Sequence, residues 1–253
     1  MANKFIGIIP ARYASSRFPG KPLADLGGMS MIERVYRRVS DVLPSVAVAT
    51  DDNRIEEAVT AFGGQVVMTS ATHRSGTDRC REAAALLESD ADVVINIQGD
   101  EPFIAKSQIE ALMGCFNDGS VEIASLARPF DPAMGFDALF DPNLVKVVMD
   151  DRMNALYFSR SIIPYVRNVE WKQWLENASF HTHVGLYGYR RATLEKLGTL
   201  PQSPLEIAES LEQLRWLQAG YKIRMAITEE PTIGIDTPAD LEAAREFLKN
   251  NSL

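Results

Sequence analysis

The chain has 253 residues, of which 46% are hydrophobic and 24% are charged, and its formal net charge is -8 at pH 7. This composition is too apolar for a disordered chain, and the length suits one large α/β domain or two small ones. The acidic balance argues against general nucleic-acid binding, which needs a basic surface for the phosphate backbone. We therefore expect a folded protein with no nucleic-acid partner.

The cysteines and the apolar runs indicate the cellular compartment of the protein. Cys80 and Cys115 stand alone, in neither CxxC nor metal-ligand spacing, which favours buried thiols in a reducing compartment. The apolar run Phe5–Ile9 is too short for a signal peptide. No apolar stretch reaches the roughly 18 residues that a membrane span requires. We expect a cytoplasmic protein that does not insert into a membrane.

The first half of the chain alternates strand and helix patterns. Short apolar, β-branched runs predict strands at Phe5–Ile9, Val46–Thr50, Gln65–Thr69, Val93–Ile97 and Glu122–Leu126. Helical patterns between them cover Met31–Val42, Asn53–Phe62, Asp78–Leu87 and Ser107–Phe116. This alternation predicts right-handed βαβ units and a doubly wound, mostly parallel α/β sheet. Because ligands bind at the carboxyl ends of such strands, the segments after Ile9, Thr69 and Ile97 should line one pocket.

From residue 131 the pattern becomes mixed. Strands are predicted at Leu144–Met149, Ala155–Phe158, Val184–Tyr189 and Lys222–Ile227, with an aromatic-rich insert around Trp171–Trp174 to which we assign no function. A long helix is predicted over 204–218 and a final helix from Pro238. We interpret 1–253 as one domain, in which about 131–253 is a mixed C-terminal extension of the same sheet.

A basic loop follows the first predicted strand. Residues 10–22 read PARYASSRFPGKP, and no Asp or Glu occurs before residue 25, whereas Arg12, Arg17 and Lys21 all lie in this stretch. Cations, glycine and small residues at a strand end are typical of a loop that holds a triphosphate. Neither a Walker A motif nor a GxGxxG fingerprint is present. The alternative is a solvated basic surface.

Carboxylates mark two further segments. Gln98, Asp100 and Glu101 follow the strand that ends near Ile97, and a carboxylate there can hold Mg²⁺ against nucleotide phosphates, so Asp100 is the first candidate ligand. Asp236 precedes Thr-Pro, and its spacing alone indicates a helix N-cap.

The segment His181-Thr182-His183 has the spacing of a possible zinc pair. No Cys, Asp or Glu stands beside it at ligand spacing, so we interpret it as a polar substrate contact.

Together these segments resemble the family of 3-deoxy-manno-octulosonate cytidylyltransferases, also called CMP-Kdo synthetases. The likeness runs over nearly the whole chain, in family order, through IIPARYASSRFPGKPL, HRSGTDR, INIQGDEP, ALYFSRSIIPY, HVGLYGYR, LEQLRWL and GIDTPADLE. It implies a nucleotide-diphosphosugar transferase-like fold, in which about 1–130 is the nucleotide-binding half and about 131–253 is the sugar-binding and dimerisation half. It also implies a magnesium-dependent homodimer that joins CTP to 3-deoxy-manno-octulosonate (Kdo), giving CMP-Kdo and pyrophosphate for lipopolysaccharide biosynthesis.

The resemblance also assigns residues. It places Asp100 and Asp236 as magnesium ligands, which replaces the capping interpretation of Asp236, and it makes Lys21, Arg12, Asp100 and Asp236 the catalytic set. The positions that match nucleotide-binding residues are Arg12, Arg17, Lys21, Arg74, Ser75, Gly76 and Gln98. The positions that match sugar-binding residues are Gln98, Arg160, His183, Tyr187, Glu212 and Gln213.

Two alternatives remain open from the residues themselves. One is a nucleotidyltransferase of the same fold with another sugar, such as a CMP-sialic acid synthetase or a nucleotide-diphosphosugar pyrophosphorylase. The other is a regulatory domain that binds nucleotide without turnover. The HVGLYGYR and LEQLRWL segments argue against the first alternative, and Lys21, Asp100 and Asp236 argue against the second.

Overall fold

The computed structural model describes residues 3–14 and 17–250, which form two compact units. Unit 1 consists of the described residues within Met1–Glu110, Gly188–Gly198 and Pro231–Leu253, and unit 2 of those within Ala111–Tyr187 and Thr199–Glu230. Among the described residues no helix is both long and apolar enough to cross a membrane.

The strands and helices follow the predicted alternation. The strands are β1 Phe5–Ala11, β2 Val46–Thr50, β3 Val66–Met68, β4 Val93–Asn96, β5 Ile123–Pro129, β6 Lys146–Met149, β7 Ala155–Ser159, β8 His181–Arg190 and β9 Ile223–Ile227. The helices are α1 Met31–Ser40, α2 Asn53–Ala61, α3 Gly76–Leu86, α4 Lys106–Cys115, α5 Phe136–Leu139, α6 Trp174–Asn177, α7 Arg191–Leu197, α8 Pro204–Glu209, α9 Gln213–Gln218 and α10 Pro238–Asn250. The prediction of a doubly wound, mostly parallel α/β sheet with a mixed second half is confirmed.

Unit 1 contains the parallel strands in the order β3-β2-β1-β4. Most side chains of β1, β2 and β4 are β-branched or small and are buried on both faces, as in Ile8, Ile9, Val48 and Ile95, each 0% exposed. Such runs are typical of parallel strands that helices cover on both sides. Every one of these strands points its carboxyl end to the same edge of the sheet.

Three of the helices that follow these strands, α1, α2 and α3, begin at side-chain caps. The hydroxyls of Ser30 and Ser75 accept hydrogen bonds from the third residue of α1 and of α3, and the carboxylate of Asp52 accepts one at the start of α2. These bonds satisfy N–H groups that a helix terminus otherwise leaves free. Each turn from strand to helix is therefore set by the local sequence.

Unit 2 is the mixed part of the fold. Strand β5 is parallel to β9, with Ser125 opposite Met225, whereas β6 is antiparallel to β7, with Lys146 opposite Ser159. Strand β6 also pairs with β8 in antiparallel fashion. The order β8-β5-β9 completes this part of the sheet.

The predicted helix over 204–218 is wrong, because the chain forms two short helices, α8 and α9. Ser210 between them adopts a left-handed conformation with φ 52° and ψ 47°. The guanidinium of Arg160 donates to the main-chain oxygens of Glu209, at 2.6 Å, and of Ser210, at 3.4 Å. These are carbonyls that a continuous helix would use internally, so a residue from β7's end stabilises the break.

Candidate active site

A cavity of about 390 Å³ lies at the carboxyl ends of the unit 1 strands. The prediction that the segments after β1, β3 and β4 line one pocket is confirmed. The lining residues are Pro10, Ala11, Arg12, Ala14, Arg17, Lys21, Pro22, Arg74, Ser75, Gly76, Arg79, Gln98, Gly99 and Asp100. They include every nucleotide-binding residue that the sequence assigned.

The basic loop folds back on itself within residues 10–22, of which Ser15 and Ser16 lie outside the described residues. The N–H of Gly20 donates to the oxygen of Tyr13 at 2.9 Å, and Gly20 has a φ of 74°, which L side chains rarely adopt. A Cβ at this position would lie 3.1 Å from the Tyr13 ring. Glycine therefore permits the turn that brings Arg12 and Lys21 to the same cavity.

Lys21 connects two carboxylates that are far apart in the sequence. Its ammonium lies 2.8 Å from the carboxylate of Asp100 and 3.2 Å from that of Asp236, and the Lys21 side chain is only 14% exposed. Arg17 adds a second cation, 3.2 Å from Asp236. Two carboxylates and two cations thus gather at one end of the cavity.

A small apolar cluster explains how Asp236 reaches Asp100. The N–H of Ile235 donates to the main-chain oxygen of Asp100 at 3.0 Å, and the Ile235 side chain is 0% exposed. It packs with the buried side chains Leu26, Met31, Phe103, Leu241 and Ala244. Burial of this apolar surface stabilises the approach of the two carboxylates, which would otherwise repel each other.

The helix after Asp236 is capped by Thr237, so the capping interpretation of Asp236 is wrong. The hydroxyl of Thr237 accepts a bond from the N–H of Asp240 at 3.2 Å. The carboxylate of Asp240 accepts bonds from the N–H groups of Asp236, at 3.0 Å, and Thr237, at 2.8 Å. This reciprocal arrangement is a capping box. It leaves the Asp236 carboxylate available for Lys21 and Arg17.

Glu101 shows how sensitive this region is to negative charge. Burial, followed by the neighbouring Asp100 carboxylate, raises the pKa of Glu101 from 4.5 to about 7. A carboxyl group that loses water and faces a like charge favours its neutral form. Further negative charge on a ligand would therefore need cations such as Lys21 for compensation.

Some buried polar atoms near the cavity have no hydrogen-bond partner among the described residues. They include Nη2 of Arg12 and Oδ1 of Asn96, the last residue of β4. Buried polar atoms are normally paired, and an exception indicates a site that a ligand or water completes. Arg12 also lines the cavity, which supports its assignment to a triphosphate.

Arg79 is a cavity residue that the sequence reasoning missed. It is 0% exposed, its Nη1 donates to the hydroxyl of Thr69 at 2.6 Å, and its Nη2 lies 3.2 Å from the carboxylate of Asp51. Arg79 thus ties α3 to the segments that follow β2 and β3. Its position one helical turn after Ser75 was the available signal, since i and i+4 share a helix face.

In unit 2, His183 and Tyr187 lie together on β8. The two rings are 5.3 Å apart, and the Nε2 of His183 is 2.9 Å from the hydroxyl of Ser125. Tyr187 also contacts Trp216 on α9, with ring centroids 5.2 Å apart. Loss of water lowers the pKa of His183 from 6.5 to about 3, so its imidazole is neutral at physiological pH.

The other unit 2 candidates lie at the two short helices. Burial raises the pKa of Tyr187, and the negative charge of Glu212, which precedes α9, raises it further. Gln213, the first residue of α9, is only 5% exposed. Arg160 follows β7, and its guanidinium donates to main-chain oxygens. The sugar-binding roles of these residues stay predictions.

Buried neutral His183 predicts a pH dependence of stability. Because its folded pKa is depressed, the unfolded chain binds the extra proton between pH 6.5 and about 3, and stability falls as the pH drops through this window. We expect the wild type to lose up to about 2 kcal/mol more than His183→Gln between roughly pH 7.5 and pH 5. Urea unfolding at both pH values measures this, and an equal loss in both proteins would contradict the burial argument.

Comparison with known proteins is consistent with this geometry. The sequence profile of the family described as Cytidylyltransferase matches residues 6–223. A 3-deoxy-manno-octulosonate cytidylyltransferase of Parabacteroides distasonis is 60% identical over 98% of this chain and 99% of the relative. One of Phocaeicola vulgatus is 61% identical over 97% of this chain and 98% of the relative. The solved structure of a CMP:2-keto-3-deoxy-manno-octonic acid synthetase complexed with CTP superposes with a TM-score of 0.90 at 45% identity, covering 98% of this chain and 99% of that one.

Proposed function

We propose that this chain, which belongs to the family of 3-deoxy-manno-octulosonate cytidylyltransferases, transfers the CMP portion of CTP to Kdo and releases pyrophosphate. The product, CMP-Kdo, is the activated sugar for lipopolysaccharide biosynthesis. The observation that carries the proposal is the contact of Lys21 with both Asp100 and Asp236 at the edge of the cavity.

The two carboxylates fit a magnesium ion. Mg²⁺ prefers hard oxygen ligands and is commonly held by one or two carboxylates together with substrate phosphates and water. Asp100 and Asp236 share one cation, the Lys21 ammonium, so their oxygens already converge on a single position. When bound by these two residues, Mg²⁺ would neutralise phosphate charge and lower the pKa of the attacking sugar hydroxyl.

The residues of unit 1 bind and orient the nucleotide. The reaction is an attack of the sugar hydroxyl on the α-phosphorus of CTP, with pyrophosphate leaving in line, and both substrates are anions. Arg12, Arg17 and Lys21 supply fixed positive charge for the triphosphate and for the pyrophosphate that leaves. Arg74, Ser75 and Gly76 hold the cytidine portion, and Gln98 serves nucleotide and sugar. No side chain is assigned as a general base.

The residues of unit 2 select the sugar acid. Arg160 provides N–H donors for an anion, and Glu212 and Gln213 provide polar partners for hydroxyl groups. His183 is neutral, so it can donate or accept a hydrogen bond without adding charge. A site that pairs buried polar groups with a substrate rejects analogues that lack those groups, since the unpaired groups stay desolvated.

Release of pyrophosphate on mixing the protein with CTP, Mg²⁺ and Kdo tests the proposal. We expect release with Kdo and much less with N-acetylneuraminate or a sugar 1-phosphate in its place. A clear preference for either alternative would assign the chain to another sugar. Binding of CTP without turnover of any sugar would favour a regulatory role.

Arg160→Ala is expected to raise the KM for Kdo and to lower kcat, because an arginine bonds an anion more strongly than a neutral donor does. Affinity for CTP in the absence of sugar should change by less than about threefold, or roughly 0.6 kcal/mol. Steady-state kinetics and calorimetry measure the two effects. Arg152→Ala, on an exposed turn of the same unit, is the control. Loss of CTP affinity with an unchanged KM for Kdo would instead assign Arg160 to nucleotide binding.

We also infer that the protein works as a homodimer in the cytoplasm. Large apolar side chains of unit 2 are exposed, among them Phe140 at 55%, Tyr165 at 74% and Trp171 at 43%, which supports a covered surface there. Cys80 and Cys115 are free thiols, which suits a reducing compartment. Light scattering at micromolar concentration tests the oligomeric state, and a monomer would contradict it.

A further inference from the structure

Lys146 is a buried lysine in unit 2 to which the reaction gives no obvious role. It lies on β6 with 0% of its surface exposed. Its ammonium donates to two main-chain oxygens, that of Asp141 at 3.0 Å and that of Arg160 at 2.7 Å. Loss of water lowers the pKa of Lys146, and the charges of Asp141 and Glu209 oppose that shift. An apolar side chain of similar length would avoid this desolvation cost.

Lys146 and Glu209 hold the main-chain carbonyl and the main-chain N–H of Arg160, respectively. Lys146 binds the carbonyl of Arg160, and the carboxylate of Glu209 accepts the Arg160 N–H at 2.9 Å. The other carboxylate oxygen of Glu209 accepts the hydroxyl of Ser159 at 2.7 Å. At the end of β7, the main-chain N–H and carbonyl of Arg160 and the hydroxyl of Ser159 are therefore all hydrogen-bonded.

The guanidinium of Arg160 is held as well. Its Nε donates to the main-chain oxygen of Glu209, its Nη1 to that of Pro142 at 2.8 Å and its Nη2 to that of Ser210. A guanidinium has five N–H donors, so these bonds orient the group and still leave donors for a ligand. A donor that is oriented before binding loses less conformational entropy when the ligand arrives.

We propose that Lys146 is a positioning residue that, together with Glu209, presets Arg160 for the anionic sugar. This inference rests on the proposed function, since it assumes that Arg160 receives Kdo. It adds that the strength of that contact depends on a buried cation which never touches the substrate. Lys146 therefore acts through Arg160 and has no effect of its own on the nucleotide.

The test is Lys146→Met, which keeps the length of the side chain and removes the charge. We expect the KM for Kdo to rise at least about tenfold, while the KM for CTP changes less than about threefold. In an Arg160→Ala background, the same substitution should add less than about twofold, because residues that act as one unit are not additive. Lys222→Met, on the exposed surface of unit 2, controls for loss of a lysine.

The outcomes separate this inference from the proposed function. Failure of the wild type to release pyrophosphate from CTP with Kdo would overturn both. An active wild type with an unchanged KM for Kdo in Lys146→Met, or equal increases in both KM values, would overturn the positioning role alone. The positioning role would also be overturned if the effects of Lys146→Met and Arg160→Ala on the KM for Kdo multiplied in the double variant.

Glu209→Gln provides a second test if Lys146→Met does not fold, because Glu209 is half-buried at the end of α8. The substitution turns one acceptor into a donor that faces Ser159 or Arg160. A selective rise in the KM for Kdo would support the positioning role, and an unchanged KM would overturn it.

Discussion

Asp236→Ser is expected to lower kcat by roughly a hundredfold or more while the melting temperature stays nearly unchanged. The loss follows from removal of one metal-binding carboxylate, which contributes several kcal/mol to stabilisation of the transition state, and each 1.4 kcal/mol is about tenfold in rate. The melting temperature should hold because Thr237 and Asp240 form the capping box at the start of α10. Pyrophosphate release at saturating Mg²⁺ and thermal unfolding measure the two effects.

Thr237→Ala is the matched control for Asp236→Ser. Loss of the capping hydroxyl should destabilise the protein by about 1 kcal/mol and leave kcat within about threefold of wild type. Serine caps helices as well as aspartate does, so a capping role for Asp236 would survive the substitution. A normal rate in Asp236→Ser would therefore remove this residue from the metal site.

Lys21→Met is expected to lower kcat by roughly a hundredfold to a thousandfold. The ammonium is fixed beside the cavity, and removal of one preorganised donor that stabilises developing charge typically costs this much. Quenched-flow measurement of pyrophosphate formation reports the chemical step directly. Lys249→Met, on the exposed surface of α10, should leave the rate unchanged.

The same substitution should tighten the binding of Mg²⁺ to the free protein. In the wild type the Lys21 ammonium lies within hydrogen-bond distance of both Asp100 and Asp236, where it repels a second cation. We expect the Mg²⁺ affinity of Lys21→Met to rise at least about threefold in calorimetry without nucleotide. Unchanged or weaker binding would show that the two carboxylates do not hold the metal in the free protein.

Local patterns were sufficient for much of the fold. The strand predicted at Val46–Thr50 has the same bounds in the structure, and α1 and α2 begin at the predicted residues. These elements follow from features that a short window contains, namely β-branched runs, helical periodicity and capping side chains. The cavity was also predictable, because parallel strands always bring their carboxyl ends to one edge.

Contacts between distant segments caused the errors. The pattern over 204–218 is helical throughout, yet Arg160 takes the carbonyls of Glu209 and Ser210 and the chain turns at Ser210. Likewise Arg79 resembles an ordinary helical arginine until its bonds to Thr69 and Asp51 are known. Helix propensity does not depend on partners that are distant in the sequence, and a few hydrogen bonds to such partners outweigh it.

The sequence by itself determined the family, the basic loop with Arg12 and Lys21, and the type of chemistry that its residues can support. Only the tertiary structure showed that Asp236 forms an ion pair with Lys21 while Thr237 caps the helix. It also showed that the Lys146 ammonium donates to the main-chain oxygen of Arg160. The physical reason is range. Strand and helix signals act over a few neighbouring residues, whereas ion pairs and buried polar contacts form only after apolar packing, as around Ile235, has brought distant segments together.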